Sequence, residues 1–266
     1  MLNPAPGNPF SLQSDNATPM RKNRYTVSLA RTTREVEESQ RLRYQVFFEE
    51  MGATSKSQHP ELDVDAYDDD CEHLIVRDQE TLAVVGCYRI MRPDVARRRG
   101  AFYSDSEFDL SRLHHLRNNI AEVGRACIHP AYRAGSVIML LWSGLARVVA
   151  ESGYEYAIGC ASINLADGHA NAVAVYRESA AKCLAPPEYR VFPKNPYPLR
   201  DLRAIESITP PRVPPLLKGY IRIGAWIGGE PAWDPDFNTA DLFILLPVAR
   251  MAATYSRHFL GQERAA

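Results

Sequence analysis

The chain has 266 residues, 45% of them apolar and 24% charged, which is the composition of a globular protein and not of a disordered one. Its 31 lysines and arginines nearly balance 32 aspartates and glutamates, and the formal charge of −1 excludes a polybasic nucleic-acid binder as the default reading. A helix crossing a bilayer needs about 20 consecutive apolar residues, and the longest candidate, 136–150, is shorter and carries Arg147.

Residues 1–22 are rich in proline and polar residues and have no apolar core behind a charged start, so they read as a flexible tail and not as a secretory leader. A short strand follows over 25–29. Thr32 and Glu35 then have the spacing of a capping box, which opens a helix running to about residue 49 and puts Arg43 and Phe47 on one face. The stretch 61–72 contains Glu61, Asp63, Asp65, Asp68, Asp69, Asp70 and Glu72 and no basic residue. An EF-hand would want glycine where Asp68 stands, which argues against calcium. Strands at 73–77 and 82–91 form a hairpin, followed by a polar connection with Arg97, Arg98 and Arg99.

Residues 120–128 read as the next strand, ended by His129-Pro130 because proline cannot continue the ladder. The segment 136–150 is apolar on nearly all sides, which predicts a helix buried in the core. A strand over 154–160, a helix over 170–182 and a proline-rich connection over 186–215 come next. Final strands are expected over 220–227 and 241–246, and a last helix over 251–260. This order predicts a mixed α/β fold with helices on both faces of one sheet. A single domain spans 23–266 in this reading, including a C-terminal extension from about 210. The five cysteines are odd in number and lack CxxC or Cys/His ligand spacing, so no disulfide framework and no structural metal are expected, in a reducing cytoplasm.

Several blocks occur in order: RLRYQVFFEEMGA, DAYDDDCEHLIV, VVGCYRI, EFDL, EVGRACIHPAYR, LLWSGLA, GCAS and PPLLKGYIRIGAWIGGEPAWDPDFNTADLFILLP. Together they resemble the bacterial ornithine N-acyltransferases, a branch of the GNAT acyltransferase fold that makes lyso-ornithine lipid and is sometimes labelled hemolysin. A more distant resemblance is to the acyl-homoserine-lactone synthases, whose residue pattern is matched by Arg43, Phe47, Asp65, Asp68, Arg89, Phe108, Glu122 and Arg125. The chain departs from those synthases at Met51-Gly52-Ala53, where they usually carry tryptophan. The block beginning at Pro214 favours the ornithine-lipid branch.

The resemblance implies a mostly antiparallel GNAT-like sheet and transfer of a long 3-hydroxyacyl group from acyl carrier protein to the α-amine of ornithine. It implies no tightly bound cofactor and no metal, with the acyl-carrier thioester as co-substrate. Such chemistry needs a base for the amine and donors near the thioester oxygen. Glu122 is the candidate base, with Arg125 beside it and Tyr176 as the acid for the departing thiolate. Glu122 and Arg125 are three apart, so an ideal strand would point them to opposite faces; a bulge at Gly124 would align them. Arg43, Phe47, Asp65, Asp68, Arg89 and Phe108 are the implied substrate-binding set, the two aspartates capturing the cationic amine.

Arg133, Gly135 and Ser136 precede the apolar helix, where GNAT enzymes hold a phosphate, and this single-glycine version suits the lone phosphate of a pantetheine arm. An acidic carrier protein wants a basic dock, for which Arg92, Arg97, Arg98, Arg99, Arg112 and Arg117 are the candidates. Transient contact with the inner membrane face follows from a lipid product. Rival readings are a signal synthase acting on S-adenosylmethionine and a non-enzymatic acyl-binding protein. His73 and Asp78 match an HxxxxD spacing, but a strand between them would turn the two side chains apart.

Overall fold

The computed structural model describes residues 24–54, 59–133, 136–166, 168–199 and 210–250. The expected N-terminal tail, Gly135 and the expected helix over 251–260 lie outside them.

The chain begins with strand β1 (Tyr25–Leu29) and helix α1 (Thr33–Tyr44). The capping box is formed: Thr32 Oγ1 accepts from Glu35 N at 3.2 Å, and the Glu35 carboxylate accepts from Arg31 N at 2.7 Å. The helix continues as a wider turn over Gln45–Glu50, in which Met51 N donates to Val46 O. Next come the hairpin strands β2 (Glu72–Asp78) and β3 (Val84–Met91).

Helix α2 (Pro93–Arg99) stands where a polar connection was expected. Its signals are local: proline at the first helical position and Gly100 at φ 81° just past the last. A single-turn helix α3 (Ser104–Glu107) and the short strand β4 (Phe108–Asp109) lead to β5 (Ile120–Ile128). Helix α4 (Ser136–Ser152), strand β6 (Tyr156–Asn164), helix α5 (His169–Cys183) and strand β7 (Phe192–Pro193) follow. The C-terminal part holds helix α6 (Pro215–Arg222) and strands β8 (Trp226–Ile227), β9 (Ala232–Asp234) and β10 (Thr239–Pro247).

The main sheet runs β1-β2-β3-β5-β6-β10-β8, with β9 also on β10 and β4–β7 forming a separate pair. All its pairs are antiparallel except β5–β6. That parallel pair covers only Ile120–Glu122 against Tyr156–Ile158. Beyond it the two central strands part. β6 pairs with β10 along its whole length, so the C-terminal strands extend the same sheet.

Two further expectations change. Helix α4 lies on the sheet through Val137, Leu141, Gly144, Leu145, Val148 and Val149, while Ser136, Met139, Ser143 and Arg147 face out; Met139 is 50% exposed. It is therefore a one-sided surface helix whose outer face is partly apolar, which blurs its period in sequence. The strand expected over 220–227 is the end of α6 followed by β8. Pro214-Pro215 starts this helix and Gly224, at φ 97°, lies beyond its end. Its close seating requires Gly219, where an added Cβ would stand 1.9 Å from the Trp142 ring.

Candidate active site

A cavity of about 670 Å³ opens where β5 and β6 part. One wall is the β5 edge from Glu122 to Ile128, and another is Cys160–Ser162 on β6. Pro214–Leu217 and Tyr220 close one side, while Phe47, Tyr103 and Phe237 contribute aromatic surface. A second, small apolar cavity shares Val123, Cys160 and Tyr220 with it and is backed by Trp142, Leu145 and Ile244.

The bulge that Glu122 and Arg125 require is present. Cys87 pairs with Cys127 and Arg89 with Gly124, so Arg125 and Ala126 together oppose Tyr88. The residue in the left-handed region is Arg125 itself, at φ 50°, and not Gly124. A non-glycine residue there costs on the order of 1 kcal/mol. Ion pairs hold it: Arg125 Nη2 is 2.9 Å from Asp65 Oδ2 and Nε is 3.2 Å from Asp63 Oδ2. Its guanidinium also lies over the rings of Tyr103 and Phe237, at 5.2 and 5.1 Å. The bulge thereby brings Glu122 and Arg125 to one cavity.

Behind the cavity wall stands a buried network. Arg43, 1% exposed, donates to Asp63 at 2.8 Å and reaches both oxygens of Asp68 at 2.9 and 2.8 Å. Arg89 Nη1 is 2.6 Å from Asp65 and 2.9 Å from Asp68. Burial alone would raise the Asp68 carboxyl, but hydrogen bonds and charge from Arg43 and Arg89 outweigh it and hold Asp68 well below the usual range. Asp65 is lowered in the same way by Arg89 and Arg125 against its own burial. Three aspartates and three arginines thus neutralise one another. Asp65 and Asp68, expected to capture the amine, are occupied by these guanidinium groups.

Glu122 is buried and held differently. Its carboxylate accepts from Tyr103 N at 2.6 Å, from Ser104 N at 2.8 Å and from the Ser104 hydroxyl. Burial raises its pKa, and the Ser104 and Tyr103 donors only partly offset this. A carboxylate raised from its ordinary value is a better proton acceptor.

Arg89, Phe47 and Arg133 line the cavity as well. Arg133 is paired with Glu50 through two contacts of 2.5 and 2.6 Å, and Ser136 is an exposed residue starting α4. Phe108 does not reach the cavity: it is fully buried and packs edge-on against Phe243 at 5.6 Å. Tyr176 is half-buried against the core packed around α5 and does not line the cavity either. The phenols that do are Tyr103 and Tyr220. The Tyr220 hydroxyl lies 2.7 Å from that of Tyr88, which accepts from Trp142 Nε1 at 3.3 Å. Burial pushes the thiols of Cys127 and Cys160 up, which makes neither a ready nucleophile.

The arginines of the expected dock each have a local partner. Arg98 meets Asp94, Arg99 meets Asp70, Arg117 meets Asp105 and Arg92 meets Glu72. Arg97 donates to Asn118, and Arg112 to Pro187 O.

One group of acids escaped the sequence reading. Glu107, Asp234 and Asp241 converge from three elements, each offering a carboxylate oxygen within 4.8 Å of the others, and all three line the cavity. Two polar positions, Thr239 and Asp241, in the otherwise apolar run of β10 are the signal that could have flagged it.

A sheet parted between its central strands, with a buried carboxylate in the gap, belongs with a match of residues 42–143 to the acetyltransferase (GNAT) domain. These define an acyltransferase of the GNAT class. The chain is 35% identical over 248 residues to L-ornithine N(alpha)-acyltransferase of Agrobacterium fabrum, across 88% of this chain and 84% of that protein. The enzyme of the same name from Brucella abortus is 34% identical over 247 residues, across 88% of each. The chain belongs to the L-ornithine N(alpha)-acyltransferase family and is an N-acyltransferase.

Among solved structures, the fold resembles the acyl-homoserine-lactone synthase LasI, at a TM-score of 0.50 and 15% identity over 84% of this chain and 90% of that one. It also resembles FeeM, an N-acyl amino acid synthase from uncultured soil microbes, at a TM-score of 0.51 and 13% identity over 87% and 94%. Among the described residues no helix is long and apolar enough to cross a membrane.

Proposed function

We propose that the enzyme moves a long-chain 3-hydroxyacyl group from the pantetheine thioester of acyl carrier protein to the α-amine of L-ornithine, giving lyso-ornithine lipid. The observation that carries this reading is the meeting of Glu122 and Arg125 in the gap between β5 and β6. An extended amide-bearing arm suits that gap, because past Glu122 the β5 edge has no partner in β6. Arg133 stands at the same cavity beside the start of α4, and a pantetheine phosphate would compete with Glu50 for it.

The amine reaches the site protonated. Glu122 takes one proton, directly or through a water, and the freed nitrogen attacks the thioester carbonyl carbon. The C–N bond forms and the C–S bond breaks; nitrogen gives up its second proton as the amide forms, Glu122 returns the first to solvent, and the sulfur leaves as a thiol by taking a proton. We assign delivery of that proton to Tyr220, which lines the cavity, in place of Tyr176. Arg125 and Arg89 face the acceptor as cations for its carboxylate.

The reading is tested with purified enzyme, acyl carrier protein and coenzyme A thioesters of a 3-hydroxy fatty acid, and a panel of amino acids, read by mass spectrometry. N-acyl-ornithine formed with the carrier-protein donor is the expected product. Absence of any N-acyl amino acid removes the reading; lactone from S-adenosylmethionine in its place makes the enzyme a signal synthase. Tyr220→Phe is expected to lower kcat about 10-fold or more and Tyr176→Phe to leave it near wild type.

A further inference from the structure

The three acids that escaped the sequence reading have no part in the steps above. Glu107 arrives from the end of α3, Asp234 from β9 and Asp241 from β10. Register explains the convergence: Asp234 sits opposite Thr239, and Asp241, two residues on, shares the face of Thr239. Both carboxylate oxygens of Glu107, Asp241 Oδ1 and the Thr239 hydroxyl are buried without a hydrogen-bond partner. Asp241 is only 3% exposed as a whole residue, yet it faces the cavity. Folded proteins pair nearly all such groups, so several unpaired in one corner call for an occupant. The neighbours that act most strongly on Glu107 and Asp241 are each other, Asp234, Tyr103, Cys160, Ser162 and Thr239, none of them basic.

We infer that Glu107, Asp234 and Asp241 receive the side-chain ammonium of the acceptor and so select a diamino acid over a monoamino acid; this rests on the proposal that an amino acid is acylated on its α-amine. The valences match. A primary ammonium offers three donors and no acceptor, and three carboxylates meet it with one oxygen each. A hard divalent cation wants six or more oxygens. Asp234 has already committed Oδ1 to the backbone N–H groups of Asp236 and Phe237, at 2.8 and 3.1 Å, which leaves it a single oxygen to give. Placement matches too. Glu107 and Glu122 line one cavity, so an acceptor held by one amine among the acids can present the other to Glu122 across a short aliphatic arm.

Three carboxylates this close cannot all be ionised while the site is empty, because like charges in a buried place raise one another. The empty ring therefore retains protons that a bound ammonium displaces. Burial first, then the Asp241 charge, raises Glu107; burial with the Asp234 charge raises Asp241, tempered by Ser162. Binding of the diamino acid should accordingly release protons, and its KM should fall as pH rises through the neutral range.

The test uses wild-type enzyme, Asp241→Asn and Glu107→Gln with the carrier-protein donor and either L-ornithine or L-norvaline, its isostere without the side-chain amine. The wild type is expected to prefer ornithine by about 100-fold or more in kcat/KM. Each variant should lose at least about 30-fold for ornithine, mainly in KM, and little for norvaline. Equal use of the two amino acids by the wild type overturns the inference and leaves the N-acyltransferase reading intact. Acylation of neither, nor of any other amino acid, removes both. Should a variant fail to fold, calorimetry of ornithine binding to the wild type in buffers of unlike ionisation heat decides the matter. Proton release supports the ammonium receptor, and binding without it overturns the receptor. A stoichiometric divalent metal in the purified wild type, with activity lost to EDTA, would assign the ring to a metal instead.

Discussion

Two groups of acids lie around one cavity, and they have opposite electrical histories. Asp63, Asp65 and Asp68 come from a single short stretch and are neutralised by Arg43, Arg89 and Arg125. Glu107, Asp234 and Asp241 come from three distant elements and keep buried oxygens unpaired. The first group is finished when the chain folds, and its product is a braced cavity wall in which Arg89 and Arg125 are held in place. The second is finished only by something that enters. Density of charge along the sequence therefore says little about which acids bind; what decides is whether folding supplies the counter-ion.

That contrast breaks most severely at Arg43. Arg43→Ala leaves Asp63 and Asp68 buried with too few partners, and loss of one side of such a network costs about 3–5 kcal/mol. The expected result is a lower urea midpoint or insoluble protein; unchanged stability would show that the network is not closed. Glu122 stands between the two groups, satisfied by neutral donors and not by cations. Glu122→Gln keeps one acceptor oxygen for Ser104 but sets its amide N–H groups against Tyr103 N, so Tm should fall by only a few degrees while kcat falls about 100-fold or more. A comparable loss of thermal stability would instead give Glu122 a structural job.

The two groups should also answer pH with opposite signs. Asp65 and Asp68 are held below their unfolded values, so their contribution is present above the ordinary carboxylate range and is lost as pH falls through and below it. Glu107 and Asp241 are raised, so they favour the fold at low pH and oppose it as pH rises through their folded values. Glu107→Gln should raise Tm by a few degrees at pH 8 and by less at pH 5, while impairing use of ornithine. An equal effect at both pH values would mean that Glu107 is not the burdened acid. The smallest effect belongs to exposed arginines. Arg97→Glu with Arg98→Glu should change stability by about 0.5 kcal/mol or less, yet raise KM for acyl carrier protein at low salt. A KM that did not move would end the docking role of α2.

Much of the frame was legible because its signals are local. Thr32 and Glu35 announced α1, the hairpin reading found β2 and β3, and His129-Pro130 marked the end of β5. The arithmetic of Glu122 and Arg125 demanded a bulge, although the left-handed residue is the arginine and not the glycine beside it. What could not be read were facts of the third dimension. The half-buried flanks of α4, with Ile138, Leu140, Trp142 and Ala146, are apolar and hide its sidedness, and β-favouring residues in α6 are overruled by its packing through Gly219 against Trp142. The acidic run looked free because its arginines lie twenty or more residues away. The open acids left only two polar positions in β10 as a trace. Phe108 and Tyr176 sit away from the cavity because a motif match fixes order along the chain and not direction in space.

The bulge in β5 has a consequence in genetic terms. One residue beyond the count of its partner strand is what turns Arg125 toward Glu122. In-frame loss of a single codon, that of Ala126, would let β5 run evenly beside β3 and would release Arg125 from its left-handed conformation. The shortened chain would keep its sheet and lose its centre. A lineage that no longer needed this reaction could thus discard it in one step, at the cost in stability of parting Arg125 from Asp63 and Asp65.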